Sequence, residues 1–217
     1  QDVRLYDRAL SGDEMKELAP FRFDPSLTGL WIGSANLDEV KEVASGNWSA
    51  APATFPQTLI LHVDGSGIGH LLQEATLMKT RDSIPEMVVV NQPESIPNYD
   101  GVVPRGGKLV GQRFSCSSLA LSGGKASLSA DNGWLSVTSQ LAAAHPINPF
   151  RHKYHPDLAV GREIERTIRI QLTNGDSPSD HVVTGILQES VSGIHKDAID
   201  ARGPITFTRV SPSGQLR

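Results

Sequence analysis

The chain has 217 residues, a net charge of −4 and a pI near 6.0, so it carries no broad basic footprint of the kind that binds nucleic acid or a polyanionic membrane surface. No apolar run approaches the roughly 18 residues that a membrane-spanning helix needs, and no signal sequence is present, so any export signal is expected upstream. The single cysteine, Cys116, excludes an internal disulfide and leaves the redox compartment open; between Ser115 and Ser117 it reads as a buried, inert thiol on a strand or strand edge.

In chain order, Asp2-Val3-Arg4-Leu5-Tyr6-Asp7-Arg8-Ala9-Leu10 alternates apolar and polar residues and leads into Ser11-Gly12-Asp13-Glu14. This is the pattern of a short strand followed by a capping box, with Ser11 as N-cap and Glu14 three residues on. These residues resemble the closing strand and short helix of laminin-G-like or concanavalin A-like jelly-roll domains. The resemblance spans about residues 1 to 18 and none of the binding loops of that family, so no binding residue carries over. It implies context: a downstream piece of an exported or surface-attached multidomain protein. A strand that has left its own sheet exposes unpaired backbone groups, so Val3, Leu5 and Tyr6 are expected to pair with a sheet edge, in the same chain or in a neighbouring copy.

A proline-bracketed connector, Ala19 to Pro25, separates a terminal piece (1–25) from a single antiparallel β domain (26–217). That domain opens with Leu27-Thr28-Gly29-Leu30-Trp31-Ile32-Gly33. The Gly29-x-Trp31 pair is similar to the opening strand of lipocalin-like barrels, in which a tryptophan plugs the closed end and the glycine allows close backbone approach. A strand-borne core tryptophan of any sandwich or barrel fits the same residues. Further on, Gly46-Asn47-Trp48 precedes a small-residue stretch; an exposed Trp48 there would be a stacking platform for a sugar, while a satellite core contact fits the residue better.

The clearest hairpin joins Thr58–Val63 to Ile68–Leu77 through Asp64-Gly65-Ser66-Gly67, with Gly65 and Gly67 expected to supply positive φ. An Asp-x-Ser-Gly turn also occurs in calcium loops, but the acidic ligands that would follow are missing. Between Lys79 and Gly107 four prolines mark a long surface excursion containing Met87-Val88-Val89-Val90 and Tyr99. Strands resume at 108–114, at 126–130 after the Gly123-Gly124 turn, and at 134–138 after Asn132-Gly133. Residues 163–172 alternate, with Ile164, Ile168, Ile170 and Leu172 on the buried side, and two more strands run through 181–187 and 203–210. The inventory predicts an all-β fold: an antiparallel β-barrel or β-sandwich of about eight to ten strands, with the N-terminal strand and short helix as an appendage. Trp31, Leu61, Ile168, Ile170 and Phe207 are expected to be buried together.

Taken whole, 27–210 also resembles an uncharacterised β-rich C-terminal domain that accompanies jelly-roll modules in large bacterial surface proteins. The resemblance implies an architecture and no activity.

One segment concentrates functional side chains: His145-Pro146-Ile147-Asn148-Pro149-Phe150-Arg151-His152-Lys153-Tyr154-His155-Pro156-Asp157. Its prolines make it a rigid loop. His145, His152, His155 and Asp157 are the residue types that ligate zinc or another transition metal. Against this, Pro156 restricts the i, i+3 histidine geometry, and the better-fitting reading is a rigid turn at Asn148-Pro149-Phe150 with Phe150 and Tyr154 packed under it and His155 hydrogen-bonding backbone groups. No Gly-x-Ser-x-Gly elbow and no paired carboxylates point to a hydrolase. Three readings stay open. The first is a non-catalytic structural or interaction module, secreted or at the cell surface, without cofactor, whose partners are copies of itself or neighbouring domains. The second is a carbohydrate-binding module using Trp48, Tyr99 and Tyr154 on a polysaccharide. The third is a metal-dependent enzyme at the histidine loop.

Overall fold

The computed structural model describes residues 21–79, 87–90, 104–105, 108–109, 111–116, 119–131, 133–146, 148, 161–173 and 181–216. Val3, Leu5, Tyr6, Tyr99, His152, Tyr154, His155 and Asp157 lie outside them, as do the capping box and most of the histidine loop.

The described chain is nearly all β, in antiparallel strands. The main sheet contains β1 (Gly29–Lys41), β2 (Trp48–Val63), β3 (Gly69–Leu72), β9 (Lys125–Ser127), β10 (Ser129–Asp131), β11 (Trp134–Leu141), β12 (Ile164–Thr173), β13 (Val182–Ser192) and β14 (Ile199–Ser211). Their order across the sheet is β10-β11-β12-β13-β14-β1-β2-β3-β9. The two end strands, β9 and β10, are consecutive in the chain and separated only by Leu128. Lys125–Ser127 pairs with β3 on one side, and Ser129–Asp131 pairs with β11 on the other. One residue of chain therefore joins the two edges, and the sheet closes on itself as an up-and-down barrel in which β9 and β10 act as one bent strand.

Side chains alternate as closure demands. Trp31, Leu59, Leu61, Leu71, Leu135, Val137, Ile168, Ile170, Leu187, Ile205 and Phe207 point inward and share one core. The five residues expected to be buried together are all in it, none more than 4% exposed. At one end Trp31 acts as a plug. Its indole Nε1 donates to the Leu27 carbonyl at 2.8 Å, in the 3-10 turn Pro25–Leu27, and the Arg209 guanidinium lies 4.7 Å from the ring centroid. Arg209 also donates to the Ser26 carbonyl, and so ties the last strand to the turn that precedes the first. Gly29 has φ 134°, and a Cβ there would lie 2.2 Å from the Ser211 carbonyl oxygen, which is why the Gly-x-Trp pair needs its glycine. Phe23 completes this end, its amide bonded to the Gly67 carbonyl at 2.8 Å.

Between β3 and β9 the chain leaves the barrel to form a three-stranded sheet, β5-β4-β8 (Met87–Val90, Glu74–Lys79, Gly111–Ser115), and a two-residue pairing of β6 (Pro104–Arg105) with β7 (Lys108–Leu109). The hairpin thus continues only to Leu72; after Gln73 the strand changes sheets. Because β3 and β9 are short, the wall there is completed by the returning segment. Cys116 Sγ donates to the Thr58 carbonyl on β2 at 2.7 Å, and Ser139 on β11 donates to the Ala120 carbonyl, with Leu119 fully buried between them in sequence. Cys116 is 2% exposed, as expected for an inert thiol. Of the two turn glycines, only Gly67 adopts positive φ (83°); Gly65 does not, because the Asp64 carboxylate rather than a second left-handed residue shapes the turn.

Truncation of Trp31 to alanine removes the plug and the ring beneath Arg209, and is expected to cost about 3–5 kcal/mol in chemical denaturation.

Candidate functional site

The described residues place polar chemistry at three points of the barrel. The first is inside it. Strand periodicity aims Arg166 (β12) and Glu189 (β13) inward: Arg166 stands between Ile164 and Ile168, and Glu189 two residues beyond Leu187. Arg166 Nε donates to Glu189 Oε1, and Gln57 Nε2 from β2 donates to Glu189 Oε2, while Gln57 Oε1 has no hydrogen-bond partner. Glu189 is 4% exposed. This cluster occupies the end of the barrel away from Trp31, and a buried pair of this kind costs several kcal/mol when one member is removed.

The second point is Trp48, which is half-buried on β2. The Arg202 guanidinium lies 4.3 Å from its ring centroid and pairs with Glu39, Nε to Oε2, at 2.6 Å. One face of the indole is thus taken by a cation, and the other expected stacking residues, Tyr99 and Tyr154, fall outside the described residues.

The third, on the outer face of β2, β3 and β9, combines titratable side chains with an open groove of about 400 Å³ lined by His62, Asp64, His70, Lys125 and the C-terminal residues Gly214–Leu216. Hairpin register produces it. His62 and His70 stand four residues either side of Ser66, so they pair directly across β2 and β3, and His70 pairs onward with Ser127 of β9. Inside the turn, Asp64 Oδ1 accepts from the Ser66 amide (2.8 Å), Ser66 Oγ (2.7 Å) and the Ile68 amide (3.0 Å), while Oδ2 faces His70 Nε2 at 3.4 Å. Burial pushes the Asp64 carboxyl up, but these hydrogen bonds outweigh it and bring it down to about 2. An ionised Asp64 fixes the His70 tautomer: Nε2 carries the hydrogen, and Nδ1 is left to accept from Ser127 Oγ at 3.1 Å.

His62 is fully buried, and its Nε2 donates to the Ser213 carbonyl at 3.1 Å, which docks the C-terminal segment onto the sheet; its Nδ1 has no partner. Burial holds its pKa below the ordinary 6.5, helped by His70 and Lys125 and opposed by the Ser213 carbonyl and Asp64. A base kept neutral by folding costs nothing above its unfolded pKa and costs progressively more as pH falls below it.

Of the candidate metal ligands only His145 is described. It is half-buried, its amide donates to the Ala142 carbonyl at 2.9 Å, and its carbonyl accepts from the Asn148 amide at 2.9 Å. Asn148 is 1% exposed and braces the loop, its Nδ2 donating to the carbonyls of Ala142 (3.1 Å) and Arg162 (2.7 Å). Among the described residues no group of three or more His, Cys, Asp or Glu side chains is arranged to hold a metal ion. No helix among them is long and apolar enough to cross a membrane.

No family model, curated protein or solved structure matches this chain.

Lowering the pH from 7.5 to 5 is expected to reduce the urea midpoint of the wild-type chain more than that of His62→Gln. Asp64 does not confound this window, because its stabilising contribution is fully present above pH 3.8 and is lost only as pH falls toward about 2.

Proposed function

We propose that the chain is a structural interaction module of an exported or cell-surface multidomain assembly, working through the outer face of the barrel. The observation that carries this reading is an exposed, uncharged strip across five neighbouring strands. Thr173, Thr184, Thr206, Ser34 and Thr58 fall in one register row from β12 through β13, β14 and β1 to β2, all exposed. Beside this row lie Gln171, Ile186, Pro204, Asn36 and Pro56 on one side, and Thr208 and Ile32 on the other. Charged residues make up 20% of the chain, yet none falls in these three rows, and Ile186 is 39% exposed. Charge depletion with scattered apolar side chains marks the centre of protein interfaces. The interior supports the same reading, since the space around Trp31 and Phe207 amounts to about 10 Å³ and leaves no room there for a small molecule. The likeness of residues 1–18 to the end of a jelly-roll module supports the exported, multidomain setting.

The partner is a second copy of the chain. A row of hydroxyls, each both donor and acceptor, is complementary to itself under two-fold symmetry. Sedimentation velocity over a concentration series is expected to show concentration-dependent self-association, and Thr206→Glu, which brings an unpaired charge into the middle of the row, is expected to abolish it with the melting temperature unchanged. A chain that stays monomeric throughout, or a Thr206→Glu variant that associates as well as wild type, removes this reading.

A further inference from the structure

We propose that Ser127, His70 and Asp64 form a nucleophilic site on the outer face of the barrel that hydrolyses small acyl esters. The inference is independent of the interface reading and rests on other strands. Three features coincide. The hydrogen-bond chain runs Ser127 Oγ to His70 Nδ1 at 3.1 Å and His70 Nε2 to Asp64 Oδ2 at 3.4 Å, so one ring nitrogen accepts from a hydroxyl while the other donates to a carboxylate. That is the division of labour a serine nucleophile needs, with the two ring nitrogens exchanged relative to the Ser-His-Asp template. Second, the elements are held rigidly but not sealed: the His70 side chain is 13% exposed, Asp64 is locked by its own turn, and Ser127 is exposed on β9. Third, His70 and Asp64 line the groove of about 400 Å³, and Lys125 lines it as well. Lys125 lies two residues before Ser127, on the same side of β9, and brings a cation to the groove in which charge would develop on an attacked carbonyl.

The reaction balances with these groups and water. Ser127 Oγ attacks the ester carbonyl carbon as its proton passes to His70 Nδ1, and the tetrahedral oxyanion faces Lys125. Collapse breaks the ester C–O bond, and the leaving alkoxide takes the proton from His70. Water, deprotonated by His70, then attacks the acyl-serine; the C–Oγ bond breaks, Ser127 recovers its proton from His70, and the carboxylic acid departs and gives its own proton to solvent. Asp64 stays ionised throughout and acts as a positioning residue, holding the imidazole tautomer.

The groove is small and its apolar contribution is Leu216, so the substrate class is a short-chain ester. The probe is p-nitrophenyl acetate with the full chain. Wild type is expected to release p-nitrophenolate and to show an acetyl group on Ser127 by mass spectrometry of the quenched reaction. Release is expected to fall about a hundredfold in Ser127→Ala and in His70→Gln. Asp64→Asn keeps the oxygen that caps the turn but loses the charge, so it is expected to keep the fold by circular dichroism while losing most of the release. Release no faster than buffer, acetylation at a residue other than Ser127, or equal release from wild type and Ser127→Ala overturns the proposal.

Discussion

Everything in this barrel hangs on the closure at Leu128. The seven residues from Lys125 to Asp131 form one bent strand whose first half belongs to β3 and whose second half belongs to β11. Leu128, at the bend, turns its side chain into the core, and its amide donates to the Gly69 carbonyl at 2.9 Å. Without this double pairing the main sheet would be an open sheet with two bare edges, a form that recruits other strands. The return of the chain from its excursion after β3 places Ser127 of β9 against His70. The outer groove thus combines the local register of the β2–β3 hairpin with a strand that returns from the excursion.

The two ends of the barrel solve the same problem with opposite chemistry. At the Trp31 end the opening is filled by one large ring, sealed by backbone carbonyls from the 3-10 turn and by a guanidinium on its face. The contact is attractive because the ring face carries negative charge density. At the other end inward positions that alternation would fill with leucine hold Arg166, Glu189 and Gln57 instead. Charges there are tolerated because each finds a partner, and removing one would leave the other buried and uncompensated. At the packed end apolar burial does the filling; at the polar end side chains of β2, β12 and β13 meet through the Glu189 carboxylate.

The fold was readable in the sequence because strand alternation is strong wherever one face is buried: Ile164, Ile168 and Ile170 announce β12, and the Gly29-x-Trp31 pair marks the plug. The same periodicity contained signals that the hydrophobic pattern hides. Arg166 shares parity with Ile164 and Ile168, so its inward position was implied by register alone, and the symmetric placing of His62 and His70 about Ser66 implied their pairing. Ser127 gave no such sign. Its partner strand is separated from it by an excursion of more than fifty residues, from Gln73 to Gly124, and nothing local says where such an excursion returns. Arg209 was equally silent, since a basic residue near the end of a strand is ordinarily solvated.

Asp64 shows why a site of this kind escapes motif reading. To a sequence, Asp-Gly-Ser-Gly is turn chemistry, and the structure bears that out: one carboxylate oxygen is spent on the Ser66 and Ile68 amides. The second oxygen is left over, and the hairpin register aims it at the imidazole of the returning strand. The same hydrogen bonds that make the turn also keep the carboxyl ionised, and an ionised carboxylate is what dictates the histidine tautomer. Turn formation and side-chain alignment are therefore one event. The hairpin turns the His70 Nε2 side toward Asp64, and what its Nδ1 side meets is decided by where the excursion returns, which is at Ser127.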